Sequence, residues 1–131
     1  MNMAMNRAIN SYTKFGTYAE IEAASPHRLI QMLFEGGLQR IAIAKGAIQR
    51  KAIAEKGENL SRAIAIIGGL RASLDQDKGG EIATNLDRLY EYMERRLLEA
   101  NLKNDEAILD EVSGLLRDIK SAWDAIQDQT G

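Results

Sequence analysis

Apolar residues recur at helical spacing over most of this chain, and the pattern separates an irregular N-terminal stretch from four long amphipathic segments. Over residues 1–24 the apolar positions Met3, Met5, Ile9, Tyr12, Phe15, Tyr18 and Ile21 keep no sustained period, and Gly16 interrupts them. This predicts a mobile arm holding about one helical turn. Ser25-Pro26 is a helix start: a serine oxygen accepts from an orphan backbone N–H, and proline suits the first helical position because its missing donor costs nothing there. The first long helix is predicted over 26–50. In the second, Leu60, Ala63, Ile64, Ile67, Leu70 and Leu74 share one face. Ile53 falls on the same arc, so the start lies either after Gly57 or upstream of it.

The cluster Asp75-Gln76-Asp77-Lys78-Gly79-Gly80 is predicted to be a turn, since paired glycines accept positive φ and end helices cheaply. A third helix follows over 81–100, with Leu86, Leu89, Tyr90, Met93 and Leu97 on one face and Tyr92 and Leu98 well outside it. Either Asn104 or Asp105 caps a fourth, whose face is Ile108, Leu109, Val112, Leu115, Leu116, Ile119, Trp123 and Ile126. Helices of about 20 residues on short connections must reverse at each turn. The predicted fold is all-α, an antiparallel up-down-up-down four-helix bundle over 25–131, a single domain preceded by the mobile arm of residues 1–24.

Composition narrows the function. A chain of 131 residues with one proline and no cysteine buries a core without disulfides and offers no zinc-thiolate site. The formal charge of -2, with both signs interspersed, supplies no basic stripe for nucleic acid. No apolar run reaches the roughly 20 residues of a membrane span, and the N-terminus lacks the layout of a signal peptide, so the expected location is cytoplasmic without membrane insertion. His27, the single histidine, stands directly after Pro26 and reads as a solvated or capping residue. Paired Glu-x-x-His motifs for a dinuclear metal site, a phosphate-binding glycine loop and a cysteine nucleophile are all missing from the sequence, so no catalytic constellation, metal or cofactor is expected. Glu91, Glu94, Asp110 and Glu111 sit beside basic neighbours, as on a solvated face.

The anomaly is surplus apolar surface. On the first helix Ile30, Leu33, Phe34, Gly37, Ile41, Ala44 and Ile48 make one stripe, and Leu29, Met32, Gly36, Ile43 and Ala47 make a second that a single core does not need. Ile66 on the second helix and Tyr92 and Leu98 on the third likewise fall off their main faces. Repeated surplus of this kind marks an interaction surface, and the arm, through Ile9 and Tyr12, offers a cover for it. The pairs Gly36-Gly37 and Gly68-Gly69 serve close helix approach or else cost roughly 1 kcal/mol each relative to alanine.

Three segments, Ser11-Tyr12, Ser25 through Gly36, and Gly79-Gly80-Glu81-Ile82-Ala83 through Glu99-Ala100-Asn101, together resemble the FliS family of flagellar secretion chaperones in order and spacing. The helix from Ala107 to Trp123 also fits that pattern; Gly68-Gly69 does not belong to it. The resemblance implies a cytoplasmic type III export chaperone that binds the disordered C-terminal segment of flagellin, prevents premature polymerisation and delivers it to an export-gate component. It ties Tyr12 to client binding, with Ile9 added from hydrophobicity and spacing. Met32, Ile43, Ile66, Tyr92 and Leu98 are the groove candidates from helical geometry, whereas Arg95 and Arg96 match the family but pair equally well with Glu91, Glu94 or Glu99. An arm that clasps the client predicts weaker binding when it is removed. The competing expectation is a self-associating helical bundle without a flagellin client; a monomer or weak homodimer is expected otherwise.

Overall fold

A computed structural model describes residues 3–12 and 18–126 of the chain. Among them are six helices and no strand: α1 (Met3–Tyr12), α2 (Tyr18–Ala23), α3 (Pro26–Gln49), α4 (Ile53–Ala72), α5 (Gln76–Lys103) and α6 (Glu106–Ala125). The boundaries follow local chemistry. The Ser25 hydroxyl accepts from Arg28 N at 3.1 Å with Pro26 opening α3. Asp105, not Asn104, caps α6 through Ala107 N and Ile108 N, while Asn104 takes the left-handed conformation (φ 53°) that ends α5. Helix α4 starts upstream of Gly57, at Ile53.

Two sequence expectations are corrected. The stretch 75–80 is not simply a turn, because the Asp75 carboxylate accepts from Asp77 N and Lys78 N and lets the chain wind at once. The interruption is confined to Gly80, whose φ of 52° and ψ of -127° offset the first turn of α5 from the rest. The arm is also more ordered than one turn. Residues 3–12 form a helix because Met5, Ala8, Ile9 and Tyr12 recur at helical spacing and are all buried. The sequence reading missed that stripe by counting large apolar side chains and passing over Ala8. Phe15 and Gly16 lie outside the described residues.

Helices α3, α4, α5 and α6 pack in ring order, each against the next and α6 back against α3. Side-chain pairs near both ends show that α3 runs antiparallel to α6, and α4 to α5. Lys45 near the end of α3 meets Asp110 near the start of α6 at 2.8 Å, and Trp123 Nε1 donates to the His27 carbonyl at the opposite end at 3.1 Å. Arg71 and Asp87 join the end of α4 to the beginning of α5 at 2.9 Å, and Lys56 Nζ reaches the Asn101 carbonyl at 2.9 Å. Arg40 and Asn59 join α3 to α4 at 2.9 Å. The core inside this ring includes Phe34, Ile41, Leu60, Ile67, Met93, Leu97, Leu109 and Leu116, all closed to solvent. Of the face predicted for α6, Ile126 falls beyond the helix end and is half exposed.

Leu116 has no exposed surface, and one of its methyls is 3.7 Å from the position that a Cβ at Gly37 would take. Leu116→Ala should lower stability by about 2–5 kcal/mol in urea unfolding, the cost of lost transfer energy plus a cavity that rigid helices cannot close. A change below about 1 kcal/mol would mean that the α6 face is not packed as described.

Candidate functional site: the groove beneath the N-terminal helix

Helix α3 is apolar or small on two sides, and the four-helix ring covers only one. The other forms a groove with α4, and α1 lies in it, packed on both helices. Glycine makes the fit possible. A Cβ added at Gly36 would come 2.7 Å from Tyr12 Cδ2 and 3.4 Å from Ile66 Cδ1. One added at Gly69 would collide with the Ala8 methyl and come 3.5 Å from the Ala4 carbonyl oxygen. Ala4, Ala8 and Tyr12 are spaced four residues apart, so the small residues of α1 pass over Gly69 and its phenol ring covers Gly36. Burial raises the Tyr12 pKa, and the nearby Glu35 carboxylate adds to the effect.

The groove is pinned at one end by a buried cation. Arg40, 4% exposed, donates from Nη2 to the Ser11 carbonyl at 2.8 Å, from Nε to the same oxygen at 3.2 Å, and from Nη1 to Asn59 Oδ1 at 2.9 Å. The Asn59 amide in turn donates to the Glu55 carbonyl at 2.8 Å, which orients its oxygen toward the guanidinium. Desolvation, with a smaller repulsion from Arg62, lowers the Arg40 pKa. At the other end Met5 forms part of the wall of an apolar cavity of about 1040 Å³, set where the first turns of α3 and α5 meet the last turns of α4 and α6. Ile30, Phe34, Leu74, Leu86, Tyr90 and Trp123 also line it. Met5 thus belongs both to the helix in the groove and to the cavity wall.

The structure brings together four of the residues expected to bind a partner. Ile9 and Tyr12 are buried on α1, Ile66 is closed beneath Tyr12, and Met32 is buried one helical turn before Gly36. The expectation that Ile66 stands outside the packed interior is corrected: it has no exposed surface because α1 completes its surroundings. Ile43 lies three residues beyond Arg40 on α3 and is half-buried. Tyr92 and Leu98 do not join the groove. The Tyr92 hydroxyl donates to Glu111 on α6 at 2.9 Å, the Arg95 guanidinium lies 5.8 Å from its ring, and Leu98 on α5 is 54% exposed. Arg96 pairs with both Glu111 and Glu99. His27 is not a plain solvated residue either, since its ring stacks on Trp123 with centroids 4.7 Å apart.

Arg40, Asn59 and Ala8 were not singled out from the sequence, whereas Gly36 and Gly69 were, as points of close helix approach. A signal existed for Arg40: it stands in register with Met32 and Gly36, a charge on an otherwise apolar and small stripe. Among the described residues no cluster of His, Cys, Asp and Glu has the arrangement to hold a metal ion, and no helix is long and apolar enough to cross a membrane.

The fold and groove define a class: a helical bundle with a helix-receiving seam that its own N-terminal helix fills. Comparison with known proteins narrows this further. The chain belongs to the FliS family, since the family profile described as flagellar protein FliS matches residues 8–130. It is similar to flagellar secretion chaperone FliSB of Pseudomonas aeruginosa, 55% identical over 120 residues that span 92% of this chain and 95% of that one. The flagellar secretion chaperone FliS of Salmonella typhimurium is 50% identical across 90% of this chain and 88% of its own, and that of Bacillus subtilis is 37% identical across 92% and 89%. Membership implies a chaperone role in flagellar secretion and no enzymatic one.

Two expectations follow from the packing. Gly69→Ala should push α1 from its seat, lowering hydrogen-exchange protection of the Ala8 to Tyr12 amides at least about tenfold while α5 and α6 stay protected. Gly68→Ala is the control, because a Cβ there meets nothing within 4 Å, and it should instead stabilise α4 by up to about 1 kcal/mol. Equal protection of α1 in both variants would show that the close approach is not needed.

Burial pushes the Tyr90 phenol from 10.0 up to about 12. Its contribution to stability is whole below about pH 10 and is lost as pH rises through about 12, because the unfolded phenol ionises first and the folded one holds its proton. Tyr90→Phe should therefore lose about 2–3 kcal/mol less than the parent between pH 9 and pH 12 in urea unfolding. Parallel alkaline losses would place that hydroxyl in contact with water.

Proposed function

We propose that this protein is a cytoplasmic export chaperone that binds the disordered C-terminal segment of flagellin, keeps it from polymerising and presents it to the export apparatus. The observation that carries the reading is the occupied groove. A ten-residue helix is unstable alone in water, yet α1 is formed and seated by apolar contacts, two glycine crossings and one guanidinium. A seam that accepts one short amphipathic helix accepts another of like shape. Sequestering an apolar segment of the client removes the surface through which it self-assembles, and the groove with its adjoining cavity supplies a long apolar track for it. Exposed Leu98 and Leu102, one turn apart on α5, are what favours self-association as a second reading.

Seating of α1 in the groove favours competition with the client over a clasp, which reverses the sign expected from the sequence. Ala8→Asp puts a carboxylate where a fully buried methyl meets Gly69 and should eject α1. In calorimetry the variant should bind a peptide of the flagellin C-terminal segment several-fold more tightly than the parent, as a one-to-one complex that light scattering finds monomeric in chaperone. Failure of both proteins to bind that peptide, with dimers growing as concentration rises, would favour the self-associating bundle.

A further inference from the structure

We propose that a small cavity at the end of the bundle away from Trp123, with Lys56 in its wall, takes the terminal carboxylate of the client chain. The proposal rests on the flagellin-binding reading and adds to it a site for the last residue of the client segment.

The cavity holds about 340 Å³ where the turn between α3 and α4 meets the turn between α5 and α6. Lys56, only 7% exposed, is in its wall. Its ammonium donates to the Asn101 carbonyl at 2.9 Å and to Asn104 Oδ1, which uses two of its three donors. Both acceptors are neutral. The end of α5 offers about half a negative charge through its dipole, and Lys56 has no carboxylate partner among the described residues. A charge removed from water calls for an opposite one. The carboxylates at this end are engaged elsewhere: Asp105 accepts from Ala107 N and Ile108 N, Glu55 pairs with Arg50 at 3.0 Å, and Glu106 accepts from Gln49 at 2.7 Å. Lys51 is a second cation in the same wall, and it too forms no ion pair among the described residues. It directly follows the C-cap of α3 in the left-handed conformation (φ 59°), a place where glycine is usual.

Ala47, Ile48, Ala52 and Ile53 make the apolar part of the wall. Apolar walls beside two lysines suit a carboxylate carried on an apolar residue; an inorganic anion gains nothing from them. The space admits a chain end and not another helix, which is about 10 Å across. The direction of α1 leads to the same place. From Met5 at the large cavity to Ser11 at Arg40, α1 runs with α3, so a client helix seated as α1 is points its own C-terminus toward the turn between α3 and α4. Ala47 is two turns beyond Arg40 on the same face of α3, about 10 Å along the axis, a gap that about three extended residues span. A chain has one terminal carboxylate, so this contact fixes the register of the bound segment, which small and apolar side chains alone leave free to slide.

Calorimetry on the full chain with two synthetic peptides tests this: the flagellin C-terminal segment ending in its own carboxylate, and the same peptide with that terminus amidated. The carboxylate form should bind roughly tenfold more tightly. Lys56→Met, which keeps the aliphatic stem, should abolish the preference by weakening the carboxylate form alone. Lys51 is exposed, so Lys51→Met should fold even where Lys56→Met does not, and it should reduce the preference without abolishing it. Equal affinity of the parent for the two peptides, or a preference unchanged in the variants, would overturn the carboxylate site and leave the flagellin reading standing. So would a loss of affinity for both peptides alike in Lys56→Met, the result expected of a lysine that only caps α5. Failure of both the parent and Ala8→Asp to bind either peptide would overturn the flagellin reading and this proposal with it.

Discussion

Helix α3 carries more apolar and small surface than a four-helix ring can cover, and the rest of the molecule is arranged around that surplus. One side, through Leu33, Phe34 and Ile41, packs into the ring. The other, Met32, Gly36 and Arg40, is buried too, and α1 meets it at Gly36 through Tyr12 and at Arg40 through Ser11. The cover fits only because α3 and α4 withdraw their side chains at Gly36 and Gly69. Glycine within a helix costs roughly 1 kcal/mol relative to alanine; here that cost is offset by backbone approach that no larger residue permits.

The opposite side of the bundle is built differently. Along α5 and α6 the contacts are ionic: Arg96 bridges Glu99 and Glu111, Lys103 meets Glu99 at 2.7 Å, and Tyr92 donates to Glu111. Hydrogen bonds from Arg96 and then Tyr92 hold the Glu111 carboxyl below its ordinary pKa, and those from Lys103 and Arg96 do the same for Glu99. Their contribution is thus present above the ordinary carboxylate range and is lost as pH falls through the depressed values. These groups are solvent-exposed in large part, so such pairs fix register and solubility more than they stabilise. Glu94 differs: burial raises its pKa despite the Arg71 guanidinium at 3.3 Å. An ionic, internally satisfied face thus stands opposite a seam of glycine and apolar side chains.

Between them lies the open end of the ring. Gly80 offsets the first turn of α5, and the cavity that includes Tyr90 and Trp123 opens among the helix ends there. Met5 belongs both to α1 and to the wall of this cavity.

The sequence by itself determined the four long helices. Ser25-Pro26, Asp105 and the 3.6-residue periodicity of 86–97 and 108–123 are local signals, written in side chains that act on their own backbone, and they placed α3 and α6 to within a few residues and α5 apart from its first turn. It also revealed that α3 has two apolar stripes, since a stripe is a property of one helix. What covers the second stripe was not legible, because that depends on which helix comes to lie there. A ten-residue segment with two asparagines and only two alanines is too short to be recognised as a helix apart from its seat. Ile66 lay off the main stripe of its own helix and was read as exposed; the tertiary structure buries it, because burial is decided by every neighbour and not by one helix face. Tyr92 and Leu98 lay off their stripe as well, yet they stand on the other side of the bundle, since helical periodicity gives angle about one axis and says nothing of where that axis stands. Arg40 and the Ser11 carbonyl are 29 residues apart, and only packing of α1 against α3 made them one site.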